Sequence, residues 1–322
     1  MHRVTYMRIS VTDRCNERCL YCLPHDVTVE WLPRGQILTY EEILRVARIA
    51  TGLGVTHFRI TGGEPLVRKD LPEFIARLSQ LPGVTDIGLS TNATLLPQLA
   101  EPLHRAGVRS VNISLDSLRP DRYRQISGTG NLSDCLAGID AALATGFARV
   151  KLNAVMIKGQ NDDEILDLIE FAAGKRVPLR FIELMPVSTS EMLTDDNFIS
   201  IGHIRRVIET KYSLVPTDAK LGHGPALYYR ADGLPIDIGF IGAMTNLHFC
   251  ENCNKVRLTA DGKLRPCLGA HLEYDLKHVL RDPAKTDADL RQVFVETIRN
   301  KPEQHEFRDH YVPGRKMIAI GG

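Results

Sequence analysis

From residue 8 to about residue 183 the chain alternates short β-branched runs with amphipathic helical stretches, and few folds accept that rhythm. Strands are predicted at 8–12, 56–61, 86–91, 110–115, 149–155 and 179–182, each rich in Val, Ile or Thr and bounded by Gly or Pro. Thr39-Tyr40-Glu41-Glu42 reads as a capping box, and Asn161-Asp162-Asp163-Glu164 puts an N-cap before first-turn acids. Gly54, Gly107 and Gly146 fall where helices end. Six β-then-α units imply an α/β fold with a parallel sheet, because parallel neighbours need crossover connections. The rhythm alone leaves an open doubly wound sheet and a full or partial barrel both standing.

After residue 183 the pattern changes. A loop is predicted over 186–197, a helix over 199–210, and turn-rich β segments around 228–230 and 236–241. A cysteine-bearing stretch, 249–268, contains an Asp261-Gly262 hairpin signal, and helices follow at 273–281 and 288–300. With no linker in sight, the expected organisation is a main unit over 1–220 with an annex over 221–322 packed directly onto it.

Charge narrows the function classes. Lys+Arg 40 against Asp+Glu 39 gives +1, which offers no support for a nucleic-acid-coating or membrane-surface protein. No apolar run approaches the ~18–20 residues that span a bilayer. The segment Met1-His2-Arg3-Val4-Thr5-Tyr6 carries no signal-peptide core, so the expected compartment is the cytoplasm, where thiols stay reduced.

Seven cysteines in such a compartment argue against a disulfide framework. Cys15, Cys19 and Cys22 form C-x3-C-x2-C just after the first strand, at the edge where α/β proteins build their sites. Three thiolates on one short loop can grip three irons of a 4Fe–4S cluster and leave the fourth open. Zinc is the alternative, with His25 as a fourth ligand. Cys250, Cys253 and Cys267 form a second triplet across the predicted hairpin, where spacing alone slightly favours zinc, closed by His248 or His271, over a cluster. Cys135 lies in an apolar helical stretch and reads as a buried structural thiol. No phosphate loop of the G-x4-G-K-[ST] type occurs, and the eleven histidines form no metal-binding pattern.

The first triplet, with Tyr21 before its third cysteine, and the run Gly62-Gly63-Glu64-Pro65 after the second strand together resemble the radical S-adenosylmethionine (SAM) superfamily. Wider runs are similar to one family within it, the GTP 3′,8-cyclases of molybdenum cofactor biosynthesis. They are Ser10–Asn16, Arg59–Pro65, Asn112–Asp116, Arg180–Glu183, Asn254–Lys263 and Gly321-Gly322, so the resemblance spans nearly the whole chain.

That resemblance implies an incomplete (β/α)6 TIM-like barrel with a C-terminal annex carrying a second cluster. It implies two 4Fe–4S clusters, held by Cys15, Cys19 and Cys22 and by Cys250, Cys253 and Cys267. SAM would meet Tyr21, Gly63, Ser114 and Met185. GTP would meet Arg8, Arg59, Ser90, Lys151, Lys255 and Arg257, with Arg180 a further candidate from its strand-end position. Arg8, Arg257, Gly321 and Gly322 are the residues implied in catalysis, the last two by threading into the site. The reaction implied is cyclisation of GTP to (8S)-3′,8-cyclo-7,8-dihydroguanosine 5′-triphosphate. Its partners would be a flavodoxin- or ferredoxin-like electron donor, the next-step cyclic pyranopterin monophosphate synthase and a second copy of the chain.

Lys255 stands where the family commonly has Arg, and Ser90 where it commonly has Thr. The first exchanges a paired fork for a point charge and weakens triphosphate binding modestly. Two rivals remain at this stage. One is a peptide-modifying radical SAM enzyme, although such enzymes usually carry more C-terminal cysteines. The other is a non-catalytic protein stabilised by two zincs.

Overall fold

The computed structural model describes residues 3–24, 28–188, 193–218, 221–309 and 311–321. Six strands fall where the alternation predicts them: β1 (Tyr6–Ser10), β2 (His57–Thr61), β3 (Asp86–Thr91), β4 (Ser110–Ser114), β5 (Arg149–Met156) and β6 (Leu179–Glu183). Helices α1 (Tyr40–Thr51), α2 (Leu71–Ser79), α3 (Leu96–Arg105), α4 (Pro120–Ser127), α5 (Leu132–Thr145) and α6 (Ile165–Lys175) connect them. The later part supplies α7 (Ile201–Glu209), β7 (Leu214–Thr217), β8 (Leu227–Ala231), β9 (Asp237–Ile241), β10 (Lys255–Leu258) and β11 (Lys263–Arg265). It closes with β12 (Tyr274–Asp275), α8 (Leu276–Arg281), α9 (Asp287–Arg299) and α10 (Met317–Ile320).

These strands form one 12-stranded sheet in the order β12-β11-β10-β1-β2-β3-β4-β5-β6-β9-β8-β7. The parallel run is longer than six strands. β10 adds parallel to β1 and β9 adds parallel to β6, so the annex extends both edges of the barrel. The antiparallel pairs β10–β11 and β8–β9 then continue each edge. Side chains from β10 at one end and from β6 and β9 at the other line the same cavity, so the sheet curls around it as an incomplete barrel.

Strand alternation divides the side chains between two faces. Met7 and Ile9, Phe58 and Ile60, Ile87 and Leu89, Val111 and Ile113, and Leu152 and Ala154 belong to the main hydrophobic core with α1 residues such as Ile43 and Ala47. The intervening positions Arg8, Arg59, Ser90, Asn112, Lys151 and Arg180 face the cavity. Burying each large aliphatic is worth about 2 kcal/mol, and burying an unpaired cation costs several kcal/mol. Two apolar residues per strand therefore offset roughly one inward charge, and a fold that keeps so many has a use for them.

Local readings fare unevenly. Thr39 and Glu42 form the capping box of α1. Gly54, Gly107 and Gly146 all take positive φ, with Gly146 the left-handed cap of α5. Asn161 is the N-cap of a 3-10 turn, Asp162–Glu164, whose first turn carries the acids, but its side chain does not bond to that turn. Its Oδ1 accepts from Ile157 N at 2.8 Å, and its Nδ2 donates to the carbonyls of Asp116 (2.7 Å) and Val155 (2.9 Å). The helix predicted from 273 begins at Leu276, because Tyr274–Asp275 pairs with β11 first and Asp275 then caps α8. β7 and α10 were not predicted. Among the described residues no helix is long and apolar enough to cross a membrane.

Candidate active site

A cavity of about 670 Å3 fills the barrel, and both cysteine triplets open onto it. The loop after β1 carries Cys15, Cys19 and Cys22. It turns on bonds from Cys22 N and Leu23 N to the Cys19 carbonyl (2.9 and 2.8 Å) and is pinned to the end of α4 through Arg18 N and Leu20 N. Beneath it the buried carboxylate of Glu17 accepts from Tyr123 Oη at 3.1 Å.

The loop after β2 packs against the cysteine loop. Gly63 N donates to Thr12 O and Glu64 N to Arg14 O, at 2.9 and 2.8 Å. A Cβ on Gly63 would collide with the Arg14 carbonyl, so glycine is needed there for backbone contact. Glu64, fully buried, brackets the next strand end by accepting from Thr91 Oγ1 (2.8 Å), Asn92 N (2.8 Å) and Leu66 N (3.0 Å). Tyr21 donates to Asp116 Oδ2 at 2.6 Å, while Asp116 Oδ1 accepts from Val155 N at 2.8 Å. Ser114 and Met185 line the same cavity.

This half of the cavity is acidic. Burial pushes the Glu17 and Glu64 carboxyls up to about 7 and Asp116 up to about 6. Burial also raises Cys15 to about 12, with Glu64 and Glu17 adding to it, and raises Cys19 and Cys22 further. Three thiols held this way beside carboxylates favour an occupant that brings positive charge and binds sulfur, as iron does. The donor set therefore fits a thiolate-held cluster.

The deeper half is basic. Strand register sets Arg257, Arg8 and Arg59 side by side across β10, β1 and β2, with Gly88 next in line. A Cβ at Gly88 would meet Arg59 Nη2 at 2.5 Å, so that glycine makes room for the guanidinium. Arg59 is held by Tyr6 Oη (2.6 Å), Leu89 O (2.8 Å) and Ser110 Oγ (3.1 Å). Burial and then Arg257 push Arg8 down to about 9, and Arg8 Nε has no hydrogen-bond partner. Burial lowers Arg257 to about 10, and burial followed by Arg180 lowers Lys151 to about 7. Arg180 and Lys255 are lowered by burial too. Buried cations that depress one another in this way await a polyanion. Ser90 joins them on the cavity wall.

The second triplet lies on the annex side. Cys250 and Cys253 precede β10 and Cys267 follows β11. Lys301 ties the arms together, donating through Nζ to the carbonyls of Lys255 (2.9 Å) and Pro266 (2.6 Å). Burial raises Cys250 and Cys267, whereas at Cys253 Lys301 and Lys255 outweigh burial and the thiol falls. The two triplets thus sit in opposite electrostatic surroundings. A small apolar cluster of Val187, Ala243, Phe307 and Tyr311 backs this side, with Met185, Phe249 and Met317 against it. Among the described residues no three His, Cys, Asp or Glu side chains converge on a single-ion position.

Gly321 reaches the basic end, where its carbonyl accepts from Arg257. Gly322 and His25 lie outside the described residues. His248 pairs with Glu251 on the surface, and His271 stacks on Tyr311 with centroids 4.8 Å apart. Cys135 is buried away from the cavity, donating to Ser114 O at 3.5 Å. Tyr6, His223 and His305 also line the cavity, Asp116 holds Tyr21, and Lys301 joins the arms of the second triplet, none of them singled out by a sequence motif. Tyr6 was within reach, being two residues before Arg8 on the same strand face. Lys301 and His305 come from far along the chain and carry no local signal.

Residues 9–172 match the radical SAM superfamily, and residues 177–307 match the family described as Molybdenum Cofactor Synthesis C. The barrel and its cysteine loop are therefore those of a radical SAM enzyme, a class that implies a 4Fe–4S cluster and SAM. A SAM-bound structure of Streptococcus suis SuiB shares the fold, with a TM-score of 0.62 at 14% identity over 99% of this chain and 77% of that one. Much nearer in sequence is the GTP 3′,8-cyclase of Pelotomaculum thermopropionicum, 45% identical over 99% of this chain and 98% of its own length. That of Ectopseudomonas mendocina is 45% identical over 99% and 96%. The chain belongs to the GTP 3′,8-cyclase family, whose members act at the first step of molybdenum cofactor biosynthesis.

Proposed function

We propose that the protein cyclises GTP to (8S)-3′,8-cyclo-7,8-dihydroguanosine 5′-triphosphate, using one cavity for both SAM and GTP. The observation that carries this reading is the convergence of two thiol triplets and six basic side chains on that cavity. Cys15, Cys19 and Cys22 would hold the first cluster. When bound, that cluster and SAM supply one-electron chemistry that abstracts a hydrogen atom from carbon.

The chain's own residues do the rest. Tyr21, Gly63, Ser114 and Met185 cradle SAM above the barrel floor. Arg8, Arg59, Lys151, Arg180, Lys255 and Arg257 neutralise the triphosphate, with Ser90 beside them. Arg forks suit phosphate oxygens through paired N–H donors. Cys250, Cys253 and Cys267 would hold a second 4Fe–4S cluster, whose thiolates Lys301 partly neutralises, and the guanine is carried to that side. The ribose then lies between the two triplets, and the enclosing strands keep water from the reacting carbons. Arg8, Arg257, Gly321 and Gly322 act closest to the substrate.

The unit over 1–220 supplies the SAM half and that over 221–322 the guanine half. A flavodoxin- or ferredoxin-like protein delivers the electron, the next-step synthase takes the product, and the chain pairs as a homodimer in the reducing cytoplasm. Anaerobic protein given GTP, SAM and a reductant forms the cyclised triphosphate together with 5′-deoxyadenosine. Turnover of SAM without any change in GTP would favour the peptide-modifying rival.

A further inference from the structure

Asn112 lies on β4 midway between two residues with different neighbours. Two positions before it, Ser110 accepts from Arg59 Nη2 at 3.1 Å and so marks the level of Arg59. Two positions after it, Ser114 lines the SAM half. At about 3.3 Å per residue, Asn112 stands roughly 7 Å from each level, on the same strand face. Across the sheet it is paired with Ser90 on β3 and Lys151 on β5. It faces the cavity at 7% exposure, and its Oδ1 has no hydrogen-bond partner.

A buried amide oxygen without a partner is costly to keep, and a hydrogen-bond donor on a ligand satisfies it. Phosphate oxygens only accept and would repel Oδ1, whereas hydroxyls and ring N–H groups donate. The base is carried to the β10 side, and in sheet order β4 stands four strands from β10, across the barrel. Of GTP, that leaves the sugar, and the SAM arm of the experiment below separates it from the ribose of SAM. We infer that Asn112 is a substrate-binding residue that hydrogen-bonds a ribose hydroxyl of GTP and thereby fixes the face of the sugar turned toward the SAM half. This rests on the GTP reading given above.

The experiment is anaerobic calorimetry on the cluster-loaded enzyme with GTP, 2′-deoxy-GTP and 3′-deoxy-GTP, and separately with SAM. Wild type should bind one deoxy analogue about tenfold more weakly than GTP, the effect of one well-made hydrogen bond. In N112A, GTP should weaken by the same factor and the gap to that analogue should vanish, while SAM affinity holds. N112S, which keeps a short polar group and the fold, should restore part of the gap. Both variants should unfold at the wild-type temperature, since Oδ1 has no partner in the free protein. If N112A and N112S keep the wild-type ratios for both analogues, or lose SAM affinity instead, the assignment is overturned. A wild-type protein that binds no GTP overturns the underlying function as well.

Discussion

Arg257 donates through Nη1 to the carbonyl oxygen of Gly321 at 2.5 Å, so a cation of the barrel interior is bound to the C-terminal segment. The arrangement depends on glycine. Gly321 adopts φ 85°, and a Cβ there would meet Thr61 Cγ2 at 2.7 Å and Ser10 Cβ at 3.1 Å. The segment and the strands β1 and β2 therefore fit only without a side chain.

G321A should release this contact. The left-handed backbone alone costs a non-glycine residue about 1 kcal/mol, and the collision adds to it. Cyclisation is expected to fall about tenfold or more, while SAM binding is kept and the unfolding midpoint moves by less than about 3 °C. Steady-state turnover and a thermal melt measured on the same preparation check both halves.

Lys151 makes GTP binding depend on pH. Burial first and Arg180 second lower its ammonium to about 7, so above that pH it is increasingly neutral in the free protein. A triphosphate favours the charged form, so binding takes up a proton there. The dissociation constant for GTP should rise from pH 7 to 8.5 with a slope approaching tenfold per unit. K151M should bind more weakly and flatten that slope. Calorimetry in two buffers of different ionisation heat reads the proton directly, and a wild-type constant that is level over the range contradicts the assignment.

Asn161 is a structural bracket. Its three hydrogen bonds to Ile157, Asp116 and Val155 tie the end of β5 to the loop after β4, and it is fully buried. N161A strands those backbone groups and should cost roughly 2–4 kcal/mol. Urea unfolding of the wild type and variant measures it. Because Asp116 also holds Tyr21, SAM affinity should fall in parallel.

The two triplets can be separated by metal analysis. Wild type should contain about eight irons and C250A about four. C250A should still bind SAM but lose most GTP affinity. Full iron content in C250A, or zinc in place of iron, would remove the second cluster from the account.

How far the sequence carried this reading depended on whether neighbours in space were also neighbours along the chain. Cys15, Cys19 and Cys22 share one short loop, so their spacing alone exposed a metal site. Gly62, Gly63 and Glu64, like Arg8, Arg59 and Lys151, stood out only through the resemblance to the family. What stayed hidden was assembled across the sheet. That β9 and β10 extend the barrel in parallel depends on pairing partners far apart in sequence. Lys301 bridging two carbonyls, and the Asn161 side chain bracketing a loop while its residue stands at an N-cap, follow from tertiary contacts that local propensity does not report.

The central claim is that one cavity holds the ribose of GTP within reach of the SAM half. Incubating the reduced enzyme with SAM and GTP deuterated at C3′ tests it most directly. The account predicts that the 5′-deoxyadenosine formed carries one deuterium and that the cyclised product has lost it from C3′. Unlabelled 5′-deoxyadenosine, formed alongside unchanged GTP, would contradict it.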